Sequence, residues 1–342
     1  LNKHERDEKI LELRSQGISS RGIALLVFGR ESCKSTVNDV ITRFKKASEP
    51  SVCGDKLDMN AVSSHSLSTD TEEVFKIVTS KTSKDGCNHM VIPDNQVKPG
   101  VDTTYLKHIG QYIVDRKPDV IISLGDFSDI PSLSSYDKGK RAAEGQRVNE
   151  DIEATIEGMK VLLKPLYELQ QQELKDHGKI LYKPRMVLTL GNHEDRITRH
   201  VNANPELHGF LSIDNLRYGD FGWEVIPFLQ PEVINGVAYV HFASNPFTGR
   251  PYGGAALNIL KHVGTSMTVG HKQCLDVATR NLPTTGQQQW FVCAGACYTH
   301  DEGYKGPQGN YHFRGVIVKH GVIDGGYSPM FVNLEYLQDK FK

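Results

Sequence analysis

The chain has no apolar run approaching the roughly 20 residues that cross a bilayer, and its first residues, Leu1 to Lys9, are too polar for a secretory leader. Both absences point to a cytoplasmic protein that makes no membrane contact. Nor is there an excess of one charge. Against 40 Lys and Arg stand 41 Asp and Glu, so the whole chain is no general polyanion binder and any nucleic-acid affinity has to be local. The six cysteines, Cys33, Cys53, Cys87, Cys274, Cys293 and Cys297, include no Cys-x-x-Cys pair. Cys293 and Cys297 leave a metal pair or a disulfide open, but scattered thiols in a chain of this size and compartment read as reduced and structural. No internal repeat is visible. The glycine-rich stretch Thr248 to Ala255 lacks the Gly-Lys-Ser/Thr ending of a nucleotide P-loop.

What is present is a large apolar complement, 38% of 342 residues, enough for one large domain beside a small one. Three apolar runs stop abruptly at carboxylates or amides. They are Met90 to Gln96, ending in Asp94, Asn95 and Gln96; Val120 to Asp129, carrying Asp126 and Asp129; and Val187 to Asp195, ending in Gly191-Asn192-His193-Glu194. Two later runs finish in imidazoles, at His241 and His271, the latter followed by Gln273. In α/β sheets, ligands bind at the carboxyl ends of strands. Clustered carboxylates repel one another unless cations neutralise them, which makes a metal centre the economical reading. Singly, each residue has a plainer one: Asp126 as a helix cap, His241 as a hydrogen-bonded core histidine.

The order of these blocks resembles the calcineurin-like metallophosphoesterase superfamily, whose pattern is D-x-H, G-D-x-x-D, G-N-H-[DE], H and G-H-x-H. Four of the five blocks match; Gln96 and Gln273 stand where the family usually has histidines. The resemblance implies an α/β fold, a two-sheet metallophosphoesterase sandwich flanked by helices, with two divalent metal ions bridged by Asp126. Asn192, His241 and His271 would hold one ion, suited to Mn²⁺, Zn²⁺ or Fe. Asp94, Gln96 and Gln273 would hold the other, an oxygen-rich position suited to Mn²⁺ or Mg²⁺. By the same resemblance His193 is the general acid, Asp129 orients it, and Asn192 touches the phosphate. Arg196, in the first turns of a helix expected to begin at Gly191, suits a phosphate oxyanion.

Residues 1 to 46 read as three helices, the last from Ser32 to Lys46 with Val37, Ile41 and Phe44 at helical spacing. They resemble a homeodomain-like helix-turn-helix, which implies DNA contacts from Arg21, Lys34, Ser35 and Arg43. Ten basic residues against six acidic ones, a net of +4, give this segment the local excess that DNA binding requires; a protein-docking module is the other reading. Residues 47 to 72, rich in Ser, Thr and Asp, form a linker, and 73 to 342 form the metallophosphoesterase domain. In that domain Glu73 to Thr79 alternates as an edge strand. Asp102 caps a helix bearing Leu106, Ile109 and Ile113, and Val148 to Leu169 carries an amphipathic stripe. Gln289 to Leu337 is strand-rich and reads as the second sheet. The pairing of a helix-turn-helix with an Asp-x-Gln variant resembles phage-encoded members of the family and implies the host cytoplasm. A DNA-directed nuclease or phosphodiesterase is the favoured reading. A protein or nucleotide phosphomonoesterase, and a DNA-binding protein with a degenerate phosphoesterase domain, are the alternatives.

Overall fold

The computed structural model describes residues 3–15, 18–28, 36–37, 40 and 74–342, and the chain divides into two compact units, 1–64 and 65–342. In the first unit lie α1 (Lys3–Ser15) and α2 (Ser20–Phe28), and the Ile18 N–H donates to Leu13 O at 3.2 Å. Ile10, Ile23, Ala24, Val37 and Val40 bury their side chains together, with Leu13, Ile18, Val27 and Phe28 packed against them. Of the expected DNA contacts, Arg21 lies on α2, whereas Lys34, Ser35 and Arg43 lie outside the described residues, as does the linker 47–72.

The second unit is mixed α/β with two sheets. In the first sheet β1 (Cys87–Ile92), β2 (Val120–Ser123), β3 (Arg185–Thr189) and β4 (Glu224–Ile226) run parallel in that order. The connections between them carry α3 (Thr104–Arg116), α4 (Val148–His177) and α5 (Asp195–Ala203), the crossovers that parallel neighbours demand. The second sheet has the order β5 (Glu232–Ile234), β6 (Val237–Val240), β7 (Ser266–Val269), β9 (Gln288–Ala294) and β8 (Leu275–Asn281), with α6 (Ala256–Val263) joining β6 to β7.

Strand alternation sorts the side chains into layers. Met90 and Ile92 of β1, with Ile121 of β2, face α3 and α4, where Leu106, Ile109, Ile113, Met159, Leu162 and Leu166 are buried. Val91, Val120 and Ile122 point the other way and meet Val237, Tyr239 and Val292 of the second sheet. Beyond that sheet Val240, Val269 and Phe291 pack on Ile259 and Leu260 of α6. The layers are therefore helix, sheet, sheet, helix. Among the described residues no helix is long and apolar enough to cross a membrane.

Three local expectations are corrected. The segment 74–80 forms no strand: the Gln170 amide takes the Val78 N–H and C=O at 2.9 and 2.8 Å, in the place of a strand neighbour, and only the Ile77 and Ser80 N–H groups reach other backbone, at Phe221 O and Pro184 O. The C-terminal hairpin, β10 (Gly315–Ile323) and β11 (Gly326–Asn333), extends the first sheet beside β1, and only β9 of that strand-rich stretch lies in the second. The helix after the Gly-Asn-His-Glu turn begins at Asp195, since 191 to 194 are occupied in building that turn.

Candidate metal centre

The carboxyl ends of β1, β2 and β3 and of β6 and β7 deliver polar side chains to one place. Asp126, His241 and His271 bring ligating atoms within 4.8 Å of one another, a group able to hold a metal ion. The Asn192 carboxamide oxygen stands between the imidazoles, 2.9 Å from His241 Nε2 and 2.7 Å from His271 Nδ1. His241 Nδ1–H donates to Leu124 O at 2.7 Å, which fixes the ring and turns Nε2 inward, 3.3 Å from Asp126 Oδ2.

The glycines before these residues are there for space. A Cβ on Gly191 would lie 2.1 Å from Asp126 Oδ1, and one on Gly270 would lie 2.3 Å from Asp94 Oδ1, so in both turns the backbone itself lies against a carboxylate. Gln96, Asp126, His271 and Gln273 all adopt positive φ, between 47° and 65°. Non-glycine residues rarely occupy that region, and such strain gathers where a site needs a particular aim.

Electrostatics favour a cation at this point. Burial alone would lower the His241 pKa, but Asp126 and Asp94 outweigh it and push it up to about 10. Asp126 is buried too, yet His193 and His241 hold it well below the usual carboxylate range. Burial, with His241 as a charged neighbour, keeps His271 down at about 4 and so neutral. One carboxylate, two imidazoles and an amide oxygen form a donor set that suits a divalent transition metal, which would meet the demand the His241 proton otherwise meets.

The Asp94 side differs. Asp94 is fully buried, and burial pushes its pKa upward; its Oδ1 accepts from the His271 N–H at 3.1 Å, and Oδ2 has no protein partner. Both amide atoms of the buried Gln96 are likewise unpartnered. Gln273 is engaged: its Oε1 accepts from Tyr298 OH at 2.7 Å and from Lys305 Nζ.

Beside this lies a proton-handling pair. His193 Nδ1–H donates to Asp129 Oδ1 at 2.7 Å, and Nε2 lies 3.6 Å from Asp126 Oδ2. Burial lowers the His193 pKa, but Asp126 and Asp129 prevail and the net shift is upward. Arg196, on α5, spends its guanidinium on Asp129 O, Asp129 Oδ1 and Ile130 O and lies 3.2 Å from His193 Nε2, a hydrogen bond only while that nitrogen carries no proton, so its bonds here go to the acid pair and its loop. Lys98 bridges Asp129 (3.0 Å) and Glu302 (2.7 Å), and His300 meets Glu302 at 2.9 Å.

Sequence reading missed Lys98, Tyr298, His300, Glu302 and Lys305, although Lys98 follows β1 and Tyr298 follows β9. It also missed the task of Glu194. That buried carboxylate accepts from the N–H groups of Asp126, Ser128 and Gly191 and from Tyr218 OH, clamping the β2 and β3 loops together. A motif that spends an acid beside its histidine was the available signal.

Fold and site together define a two-sheet α/β protein with an Asp/His group, buried at Asp126 and His241 and half-buried at His271, able to hold a metal. No family model matches the chain. It is 25% identical over 205 residues to the Gene 54 protein of Mycobacterium phage L5, covering 58% of this chain and 74% of that one. To the Gene 54 protein of Mycobacterium phage D29 it is 25% identical over 187 residues, covering 53% and 67%. One similar solved structure is a conserved uncharacterized protein from Streptococcus pneumoniae TIGR4, described as a predicted phosphoesterase. The identity is 10%, 72% of this chain and 98% of that one are covered, and the TM-score is 0.26.

Proposed function

We propose that this chain is a metal-dependent phosphoesterase that cleaves phosphodiester bonds, with DNA as the substrate class, acting in the cytoplasm of a phage host. The observation that carries the reading is the convergence of Asp126, Asn192, His241 and His271 from the ends of both sheets, with the His193–Asp129 pair at their edge. A divalent ion held by those four residues supplies Lewis-acid charge to phosphoryl oxygens.

The protein's own groups do the rest. Asp129 holds His193 by its Nδ1–H, which leaves Nε2 as the atom that gives a proton to the departing oxygen when water attacks phosphorus and the ester P–O bond breaks. Arg196 and Lys98 fix Asp129. Asn192 uses its oxygen toward the ion, which leaves its amide N–H groups for a phosphate oxygen.

DNA as substrate is supported by the +4 excess and the helix pattern of residues 1 to 46. Hydrolysis of bis-(p-nitrophenyl) phosphate and of the monoester, with and without Mn²⁺, tests the chemistry; the diester should be the better substrate and the reaction should need the ion. Preference for the monoester would mean a phosphomonoesterase, and no metal-dependent hydrolysis of either would sink the reading. Joint replacement of Arg21, Lys34 and Arg43 by Ala in the full chain should weaken DNA binding and flatten its salt dependence while sparing diester hydrolysis. Unchanged affinity and salt slope would favour a protein-docking module.

A further inference from the structure

We propose that the ammonium of Lys305 is the second cation of this centre, so that the chain takes one divalent ion, at Asp126, Asn192, His241 and His271, and carries a built-in positive charge on the Asp94 side. The proposal rests on the phosphoesterase reading and deepens it. Three observations carry it.

First, the Gln273 oxygen, which a second metal would need, already accepts from both Lys305 Nζ and Tyr298 OH, and an amide oxygen has two lone pairs to give. Second, the lysine is held in place. Its Nζ also donates to Tyr298 OH at 3.0 Å, and the tyrosine ring below it is covered by the Arg314 guanidinium 5.5 Å from its centroid. A divalent ion brought onto Gln273 would meet that ammonium as a like charge. Third, this half of the centre offers a cation only one carboxylate of its own, Asp94, with amides at 96 and 273 in the other places. Asp94 Oδ2 and the Gln96 amide, buried and without protein partners, ask for a small polar occupant. A carboxylate and an ammonium with an amide that both donates and accepts suit water and a phosphoryl oxygen.

Lysine at this position changes what the site demands. An ammonium cannot be chelated or exchanged, and with two of its donors on Gln273 and Tyr298 it keeps one, and its charge, for a phosphate oxygen. Activity should therefore saturate with a single Mn²⁺ per chain.

The test is titration calorimetry with Mn²⁺ on the full-length, chelator-stripped protein, with elemental analysis of the loaded protein. One ion per chain is expected, and Lys305→Gln should admit a second, weaker one. In hydrolysis of bis-(p-nitrophenyl) phosphate that variant should raise KM roughly 10-fold or more, the loss of one charge-assisted hydrogen bond. Lys305→Arg, which keeps the charge, should keep both the single-ion stoichiometry and most of the affinity. Two ions bound by an active wild-type protein would overturn the role given to Lys305 and leave the phosphoesterase reading standing. Absence of metal binding, or of metal-dependent hydrolysis, would remove the reading beneath it.

Discussion

Two histidines on the space between the sheets are equally buried and lie under opposite fields. His241 sits at the carboxyl end of β6 with Asp126 and Asp94 and is pushed up to about 10. His89, on β1, bonds to Tyr239, two residues back along β6, and is held down at about 3 by burial and by the charge of Lys319. Burial is the same for both; the sign of the neighbouring charge decides. One end of the interior collects carboxylates and asks for a cation. The other end collects bases whose charged forms burial disfavours: Lys319 is fully buried, bonded to Tyr239 OH at 3.2 Å and to Thr268, and burial lowers its pKa well below 10.5.

The strongest way to break this contrast is to remove the carboxylate. Asp126→Ala should cost metal affinity more than the roughly 10- to 100-fold typical of losing an outer-shell partner and abolish turnover; elemental analysis and calorimetry read it. His193→Ala should keep the metal and slow diester turnover ~10²- to 10⁴-fold, the usual worth of a general acid. Depletion of metal in that variant would show that His193 is a ligand.

The basic end is probed by pH. Below 10.5 the unfolded chain protonates Lys319 while the native interior resists it, so stability rises with pH, by about 1.4 kcal/mol per unit for this one group. Lys319→Met should raise the melting temperature at neutral pH and flatten that rise; an unchanged slope would mean that the lysine stays charged inside. The smallest effect is expected of His89→Gln. The unfolded imidazole takes a proton near 6.5 and the folded one only near 3, so wild-type stability falls as pH drops through that window, and the variant should fall less steeply. Denaturant melts at pH 7 and pH 4 compare the two.

Much of the site could be read from the sequence because hydrophobic periodicity marks where strands end. Asp94, Asp126, Asn192, His241 and His271 each close an apolar run, and the structure brings them to one end of the two sheets. Residues 298 to 305 follow the apolar run of β9, but they carry no carboxylate, amide or imidazole at its immediate end to single them out. They come to the centre only because Cys297 N–H bonds to Asp94 O at 2.7 Å, a pairing that no local pattern encodes. Sheet membership was hidden for a related reason. The unbroken buried run of β10, Gly315 to Lys319, says that both faces are covered, not which strand lies beside it, and Lys319 within that run disguises it further. The Gln170 amide that occupies the edge of segment 74–80 comes from ninety-odd residues away and leaves no local trace.

The ligating groups come from both sheets: Asp126 and Asn192 follow strands of the first, His241 and His271 strands of the second. An ion seated among them is therefore a cross-link between two layers that otherwise hold together by apolar contact and by the bonds of His89 and Lys319 to Tyr239 and Thr268. Because the unfolded chain has no such arrangement, occupancy adds to stability by mass action, about 2.7 kcal/mol when the free ion stands at 100 times its dissociation constant. Amide exchange in β2 and β6 would slow together as the ion is added, and a chelator would loosen both sheets at once.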